Sequence, residues 1–194
     1  MATPTVNIPQ RTFIPLPLGT VLPRGWLREQ LKIQAEGLAG NLEEVFPDLG
    51  PQSAWLGGKG ENWELGPYYL DGLVPLAWLL EDSRLIAKAK KWMNWTLSNL
   101  GPDGWIGPKT DHQDQWWPRA VMLKVLAQYG EASKDARVDA AMGSYFMLLR
   151  KRIEESPLAM WAKFRWGEYL IPLIWFVEHR QCPVFRELDR KSVG

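Results

Sequence analysis

The sequence is short of several things, and each shortage removes a class of explanation. One cysteine, Cys182, in 194 residues excludes an intramolecular disulfide framework and a multi-cysteine zinc site built within this chain. A formal net charge of +1 supplies no field that would gather nucleic acid or an anionic membrane, so neither is expected as a partner. The run Tyr169 to Val177 is the longest clean apolar stretch, and it falls well short of the ~20 residues that span a bilayer. Phe13-Ile14-Pro15-Leu16-Pro17-Leu18 is apolar but broken by prolines and has no basic region before it, so it does not read as a secretory signal. These absences make a soluble, cytoplasmic protein the expectation. No Asp-Asp-x-x-Asp run occurs, which argues against a terpene cyclase.

What is present is aromatic. Twelve tryptophans accompany fifteen prolines and seventeen glycines, a composition of helices joined by aromatic-rich loops. Residues 1–23 carry Pro4, Pro9, Pro15, Pro17 and Pro23 and read as an extended segment, because proline denies the helix its N–H and its space. Residues 24–194 read as one helical domain. Its first helix is expected from Arg24 to Leu38, stopping at Gly40-Asn41. Residues 41–65, with Pro47, Gly50-Pro51, Gly57-Gly58 and Gly60, read as a long structured loop of the kind that often carries function.

Two kinds of helix then alternate. Leu70–Leu80, Ala120–Ala127 and Tyr169–Val177 are apolar nearly all round and need burial on both sides. Between them come amphipathic stretches, one with the stripe Leu85, Ile86, Ala89, Trp92, Met93, Leu97, the other with Val138, Ala141, Met142, Tyr145, Leu149. The charged faces Lys88-Ala89-Lys90-Lys91 and Arg150-Lys151-Arg152 read as solvated. Phe185 and Leu188 hint at a third amphipathic helix after Pro183. Trp63, Trp116 and Trp166 precede the three apolar helices at separations of 53 and 50 residues. A two-helix unit of that period is the mark of a hairpin array. The expected fold is therefore all-α, with helical hairpins forming part of an (α/α)6 barrel or toroid, left incomplete.

In such an array the apolar helices run the same way, so the residues before them gather at one end. Those are Trp55, Glu61, Trp63, Glu64, Tyr68, Tyr69 and Asp71; then Asp111, His112, Gln113, Asp114, Trp116, Trp117 and Arg119; then Trp161, Arg165, Trp166 and Glu168. Aromatic faces pack on the C–H faces of sugar rings while carboxylates and amides bind hydroxyls. Carbohydrate is thus the expected ligand, with Trp63, Tyr68, Tyr69, Asp71, Trp116, Trp117, Arg119, Trp166 and Glu168 as the contact set. Glu61 and Asp71 also suit helix caps or loop braces, and Arg119 suits an ion pair. His112 reads as a surface histidine and His179 as a helix-end residue. No metal ligands or catalytic residues emerge from this pattern. A non-catalytic sugar- or protein-binding module stays open, as does a polysaccharide lyase using His112 with Tyr68 or Tyr69.

Several stretches carry a resemblance. Pro17-Leu18-Gly19-Thr20-Val21 with Gly25-Trp26-Leu27-Arg28-Glu29-Gln30-Leu31, and Ser53-Ala54-Trp55-Leu56-Gly57-Gly58 leading to Gly60-Glu61-Asn62-Trp63-Glu64 and Gly66-Pro67-Tyr68-Tyr69-Leu70-Asp71, occur in this order. Asp103-Gly104-Trp105-Ile106-Gly107-Pro108, Trp116-Trp117-Pro118-Arg119 and Trp166-Gly167-Glu168 follow. Together they resemble the N-terminal half of the catalytic domain of the β-L-arabinofuranosidase family, glycoside hydrolase family 127, in its uncharacterised subgroup. The resemblance implies an (α/α)6 barrel that cleaves terminal arabinofuranose with retention. It also implies a cysteine thiolate nucleophile beside a zinc held by three cysteines and a glutamate, in the half of the barrel this chain does not match. Cys182 corresponds to none of those cysteines, so zinc is expected only in a full-length member. Some members carry Gly-His where this chain has Arg119-Ala120, a departure at a sugar-touching position.

An open array leaves a flank of its last apolar helix without neighbours. The expectation is self-association, or covering by a missing C-terminal half. Sedimentation velocity should show species larger than a monomer that bind a hydrophobic dye; a monodisperse, dye-negative monomer would contradict it.

Overall fold

The computed structural model describes residues 12–109, 114–155 and 157–180, and every regular element among them is helical. The helices are α1 (Gly25–Glu36), α2 (Leu38–Val45), α3 (Leu65–Leu80), α4 (Ser83–Ser98), α5 (Trp117–Ser133), α6 (Arg137–Glu155), α7 (Met160–Phe164) and α8 (Gly167–Arg180). Single 3-10 turns occur at Pro47–Leu49 and Ala54–Leu56. None of the helices described is both long and apolar enough to cross a membrane.

The alternation of helix types sorts the helices into two layers. On α5, Ala120, Val121, Met122, Leu123, Val125, Leu126 and Ala127 are all buried, and α5 lies between α3 and α8. The amphipathic helices cover this inner group: α4 packs on α3, α6 packs on α5, and α6 touches both α4 and α8. Asp82 starts α4 by accepting from the amides of Arg84 at 2.9 Å and Leu85 at 3.2 Å, which satisfies two N–H groups left over at a helix start.

The first helix differs from its sequence reading. It breaks at Gly37, and a second helix runs straight through Gly40-Asn41. Those two residues brace the break. Asn41 Nδ2 donates to the carbonyls of Glu36 at 2.7 Å and Gly37 at 2.9 Å, while a Cβ on Gly40 would lie 1.7 Å from the Ala35 oxygen. The basic face of α4 is also less solvated than expected. Arg84 Nη2 donates to the Ala35 carbonyl at 2.8 Å and Lys88 Nζ to that of Gly40 at 2.7 Å, so two cations serve carbonyls at the α1–α2 junction.

Residues 12–24 form no helix, and a turn closes with Thr20 N–H donating to the Pro17 carbonyl at 3.1 Å. Glu131, near the end of α5, accepts from Leu18 N–H at 3.0 Å and from Trp175 Nε1–H at 2.7 Å. One carboxylate therefore ties the N-terminal segment to α5 and α8. Beside it, a groove of about 580 Å³ runs between Ile14-Pro15 and the α8 flank of Leu170, Ile171, Ile174 and Trp175. Ile171 is 58% exposed there. Cys182, Phe185, Leu188 and His112 lie outside the described residues.

Each of the five tyrosines holds its proton more tightly than a free phenol, with burial the foremost cause every time. Tyr145 and Tyr169 are buried together, their hydroxyls 3.1 Å apart, and Tyr169 O–H donates to the Trp116 carbonyl. A phenol whose pKa rises on folding contributes stability that is fully present below the unfolded value of about 10 and is lost as pH climbs through the raised ones. Tyrosinate absorbance should therefore lag behind that of the unfolded chain as pH rises above 10 and appear with loss of helical circular dichroism. Ionisation of all five near pH 10 with the helices intact would contradict this.

Candidate functional site

The starts of three inner helices are fastened to one another by polar side chains. Asp114 does most of it. Its Oδ1 accepts from Trp117 N–H at 3.1 Å, opening α5, and its Oδ2 accepts from Ala162 N–H of α7 at 2.8 Å. The Asp114 carbonyl accepts from Trp63 Nε1–H at 2.7 Å. An aspartate here satisfies orphan amides and complements the positive end of the helix dipole. Glu61 braces the approach to α3, its Oε1 accepting from Trp63 N–H at 2.8 Å and Leu65 N–H at 3.2 Å.

These contacts gather an aromatic cluster around Trp117. Trp63 and Tyr68 meet its ring edge-on at 5.3 and 5.8 Å, and Trp161 tilts against it at 6.0 Å. Its Nε1–H donates to Glu168 Oε2 at 2.7 Å. The Arg165 guanidinium lies over Trp117 at 4.8 Å and over Trp161 at 5.3 Å. It also donates to the Tyr68 hydroxyl at 3.3 Å and reaches Glu168 Oε1 at 3.5 Å. Trp117 itself is only 4% exposed, whereas Tyr68 is 40% and Trp161 46% exposed. Partial burial, then the Glu168 charge, raises the Tyr68 pKa, with Arg165 working against both. One turn further along the same face of α3, Asp71 accepts from Lys124 Nζ at 2.9 Å and Gln128 Nε2 at 3.1 Å. Asp71 is thus a link between α3 and α5 rather than a helix cap.

Of the nine expected contact residues, Trp63, Tyr68, Asp71, Trp117 and Glu168 share this surface. The other four do not. Tyr69, one residue or about 100° round the helix from Tyr68, is buried against Trp92 of α4 at 5.9 Å. Trp116 turns to the outer layer, meeting Trp105 at 5.2 Å and Tyr145 at 6.2 Å. Trp166 borders a small apolar cavity with Leu149, Ile153, Leu158 and Leu173. Arg119 is wholly buried, and among the described residues it bonds carbonyls rather than a carboxylate. Its fork donates to the carbonyls of Ile106 at 3.1 Å, Gln115 at 2.9 Å and Pro108. The guanidinium lies between the rings of Trp55 at 5.0 Å and Trp105 at 4.6 Å. Burial lowers its pKa to about 10, which leaves it charged at neutral pH.

Asp114, Trp161 and Arg165 belong to this cluster, Asp114 buried within it, but not to the expected contact set. The tryptophan repeat pointed to Trp116 and Trp166, whereas Trp63 meets Trp117, one position later. An Asp three residues before a helical amide was the available signal for Asp114.

No group of three or more His, Cys, Asp and Glu among the described residues is placed to hold a metal ion. The groove beside α8 is mostly apolar, and its Glu131 is already engaged by Leu18 and Trp175. Aromatic and polar groups converge at Trp117 instead. Comparison with protein-family profiles, with curated proteins and with solved structures finds no match.

Removing Arg119 would take a donor from three carbonyls and open a cavity between two indoles. Arg119→Ala should cost about 3–5 kcal/mol in urea denaturation. Arg119→Lys should not rescue it, because an ammonium cannot reproduce a planar fork. A loss below about 1 kcal/mol, the scale of a surface substitution, would remove Arg119 from its structural role.

Proposed function

We propose that the surface around Trp117 recognises carbohydrate, on a glycoside-hydrolase-like scaffold of the β-L-arabinofuranosidase type built as part of an α/α barrel. The observation that carries the reading is the convergence of Tyr68, Trp117 and Glu168 from the starts of α3, α5 and α8, with Trp161 of α7 and Arg165 at its end packed against them. Tyr68 and Trp161 are partly exposed and would supply the aromatic surface for a sugar's C–H face. Glu168 and the Tyr68 hydroxyl supply hydrogen-bonding groups beside them, and Asp71 with Lys124 extends the polar surface along the inner helices. This pairing of apolar faces with a few placed polar groups is what a pyranose or furanose needs.

The chemistry implied by the family is a separate matter. A zinc held by three cysteines does not fit a chain whose single cysteine is Cys182, and the described residues supply no alternative donor set. Glu168 is engaged by Trp117 Nε1–H and Arg165, which suits it to orienting a ligand. Recognition is therefore the activity that these side chains account for.

L-Arabinose and methyl β-L-arabinofuranoside, titrated by calorimetry, should bind saturably without release of an aryl leaving group from the matching aryl arabinofuranoside. Trp161→Ala and Tyr68→Ala should each weaken binding about three- to tenfold, the worth of one aromatic contact. Trp116→Ala and Trp166→Ala should leave the affinity of the folded protein unchanged. Binding lost in Trp166→Ala but kept in Trp161→Ala would move the site elsewhere, and measurable turnover would overturn the restriction to recognition.

A further inference from the structure

Trp117 stands at the centre of the cluster, yet it presents almost no surface to a ligand. It is 4% exposed, and its covering comes partly from Arg165, whose guanidinium lies 4.8 Å from the ring. The same guanidinium lies 5.3 Å from Trp161. A flat, delocalised cation on an indole face occupies the position in which a ring's C–H face would stack.

The attachments of Arg165 are of the kind that exchange readily. Its side chain is 43% exposed. Its ion pair with Glu168 is long at 3.5 Å, and its hydrogen bond to the Tyr68 hydroxyl is 3.3 Å. Exposed ion pairs and exposed cation–π contacts hold weakly. By contrast the backbone around Arg165 is firmly placed: its N–H donates to the Trp161 carbonyl at 2.7 Å, and its carbonyl accepts from Glu168 N–H at 2.9 Å. A long side chain on a fixed backbone can swing away while Trp161 and Glu168 keep their positions. Movement of Arg165 would free the Trp117 face, the inner face of Trp161, one Glu168 oxygen and the Tyr68 hydroxyl together.

Resting on the carbohydrate reading, we infer that Arg165 is a built-in competitor that occupies the Trp117–Trp161 face and must be displaced before a sugar stacks there. The role regulates the site's affinity. It has the opposite sign from a direct contact, whose removal weakens binding.

The experiment compares the wild-type chain with Arg165→Ala and Arg165→Lys, using L-arabinose as probe and acrylamide quenching of indole fluorescence as a readout that needs no sugar. Arg165→Ala should expose one further indole to acrylamide, an exposure abolished by adding Trp117→Phe. It should also bind L-arabinose about three- to tenfold more tightly, the combined worth of an exposed ion pair and a cation–π contact. Arg165→Lys keeps the charge but loses the flat face, and should fall between the two. Weaker L-arabinose binding by Arg165→Ala would overturn the inference and make Arg165 a ligand contact, with the carbohydrate reading intact. Unchanged acrylamide access would overturn it as well. New acrylamide access with no L-arabinose binding in any variant would sink the carbohydrate reading, and with it the competitor role.

Discussion

A guanidinium taken wholly out of water sets the terms for everything near it. Arg119 has no exposed surface, and an uncompensated charge there would be prohibitive. Compensation comes from the carbonyls of Ile106, Pro108 and Gln115 and from the faces of Trp55 and Trp105. Each of these fixes a piece of chain. Trp55 belongs to the loop before α3, and Trp105, Ile106 and Pro108 to the loop before α5. Close packing also dictates two glycines in that second loop. Gly107 sits at φ +77, where a Cβ would lie 2.0 Å from the Trp55 ring, and Gly104 at φ +94, where one would lie 2.6 Å from the Ser144 oxygen. Both therefore need a residue without a Cβ.

With the start of α5 anchored, the candidate site follows from helical phase. Trp116 and Trp117 are adjacent in sequence but turned about 100° apart, so one packs on Tyr145 of the outer layer and the other faces Tyr68, Trp161 and Glu168. Tyr68 and Tyr69 divide in the same way. The aromatic wealth of the sequence thus splits between core and surface within consecutive residues. Asp114 then joins the surface half to α7, which carries Trp161.

The charges on this surface are paired within it: Arg165 with Glu168, Lys124 with Asp71. Such partly exposed pairs contribute little to stability, of order 0–1 kcal/mol each. Their value is positional, since each crosses from one element to another or holds a side chain over a ring. Arg119, Asp114 and Trp117 form the buried frame of the site, and Tyr68, Trp161 and Arg165 its exposed part.

Much of the architecture was legible in the sequence because it depends on periodicity. The nearly all-apolar stretches 70–80, 120–127 and 169–177 fall within α3, α5 and α8, and the amphipathic stripes beginning at Leu85 and Val138 became α4 and α6. Clustering of the residues ahead of the inner helices was legible for the same reason. The second helix was not, because Gly40-Asn41 reads locally as a stop; its tolerance depends on a close approach to Ala35 and on bonds from Asn41 back to α1. Nor was the division of the contact set. A hydrophobic pattern reports that a face is buried without naming the neighbour. Bonds such as Trp117 to Glu168, 51 residues apart, or Asp114 to Ala162, 48 apart, leave no local trace. Periodicity alone specified alternating buried and half-exposed helices with aromatic residues at their starts. Which aromatics meet was settled by packing, because a single-residue change of phase moves a side chain from the core to the site, and because Arg119 could be buried only where the loop before α5 turns its carbonyls inward and Trp55 arrives from the loop before α3.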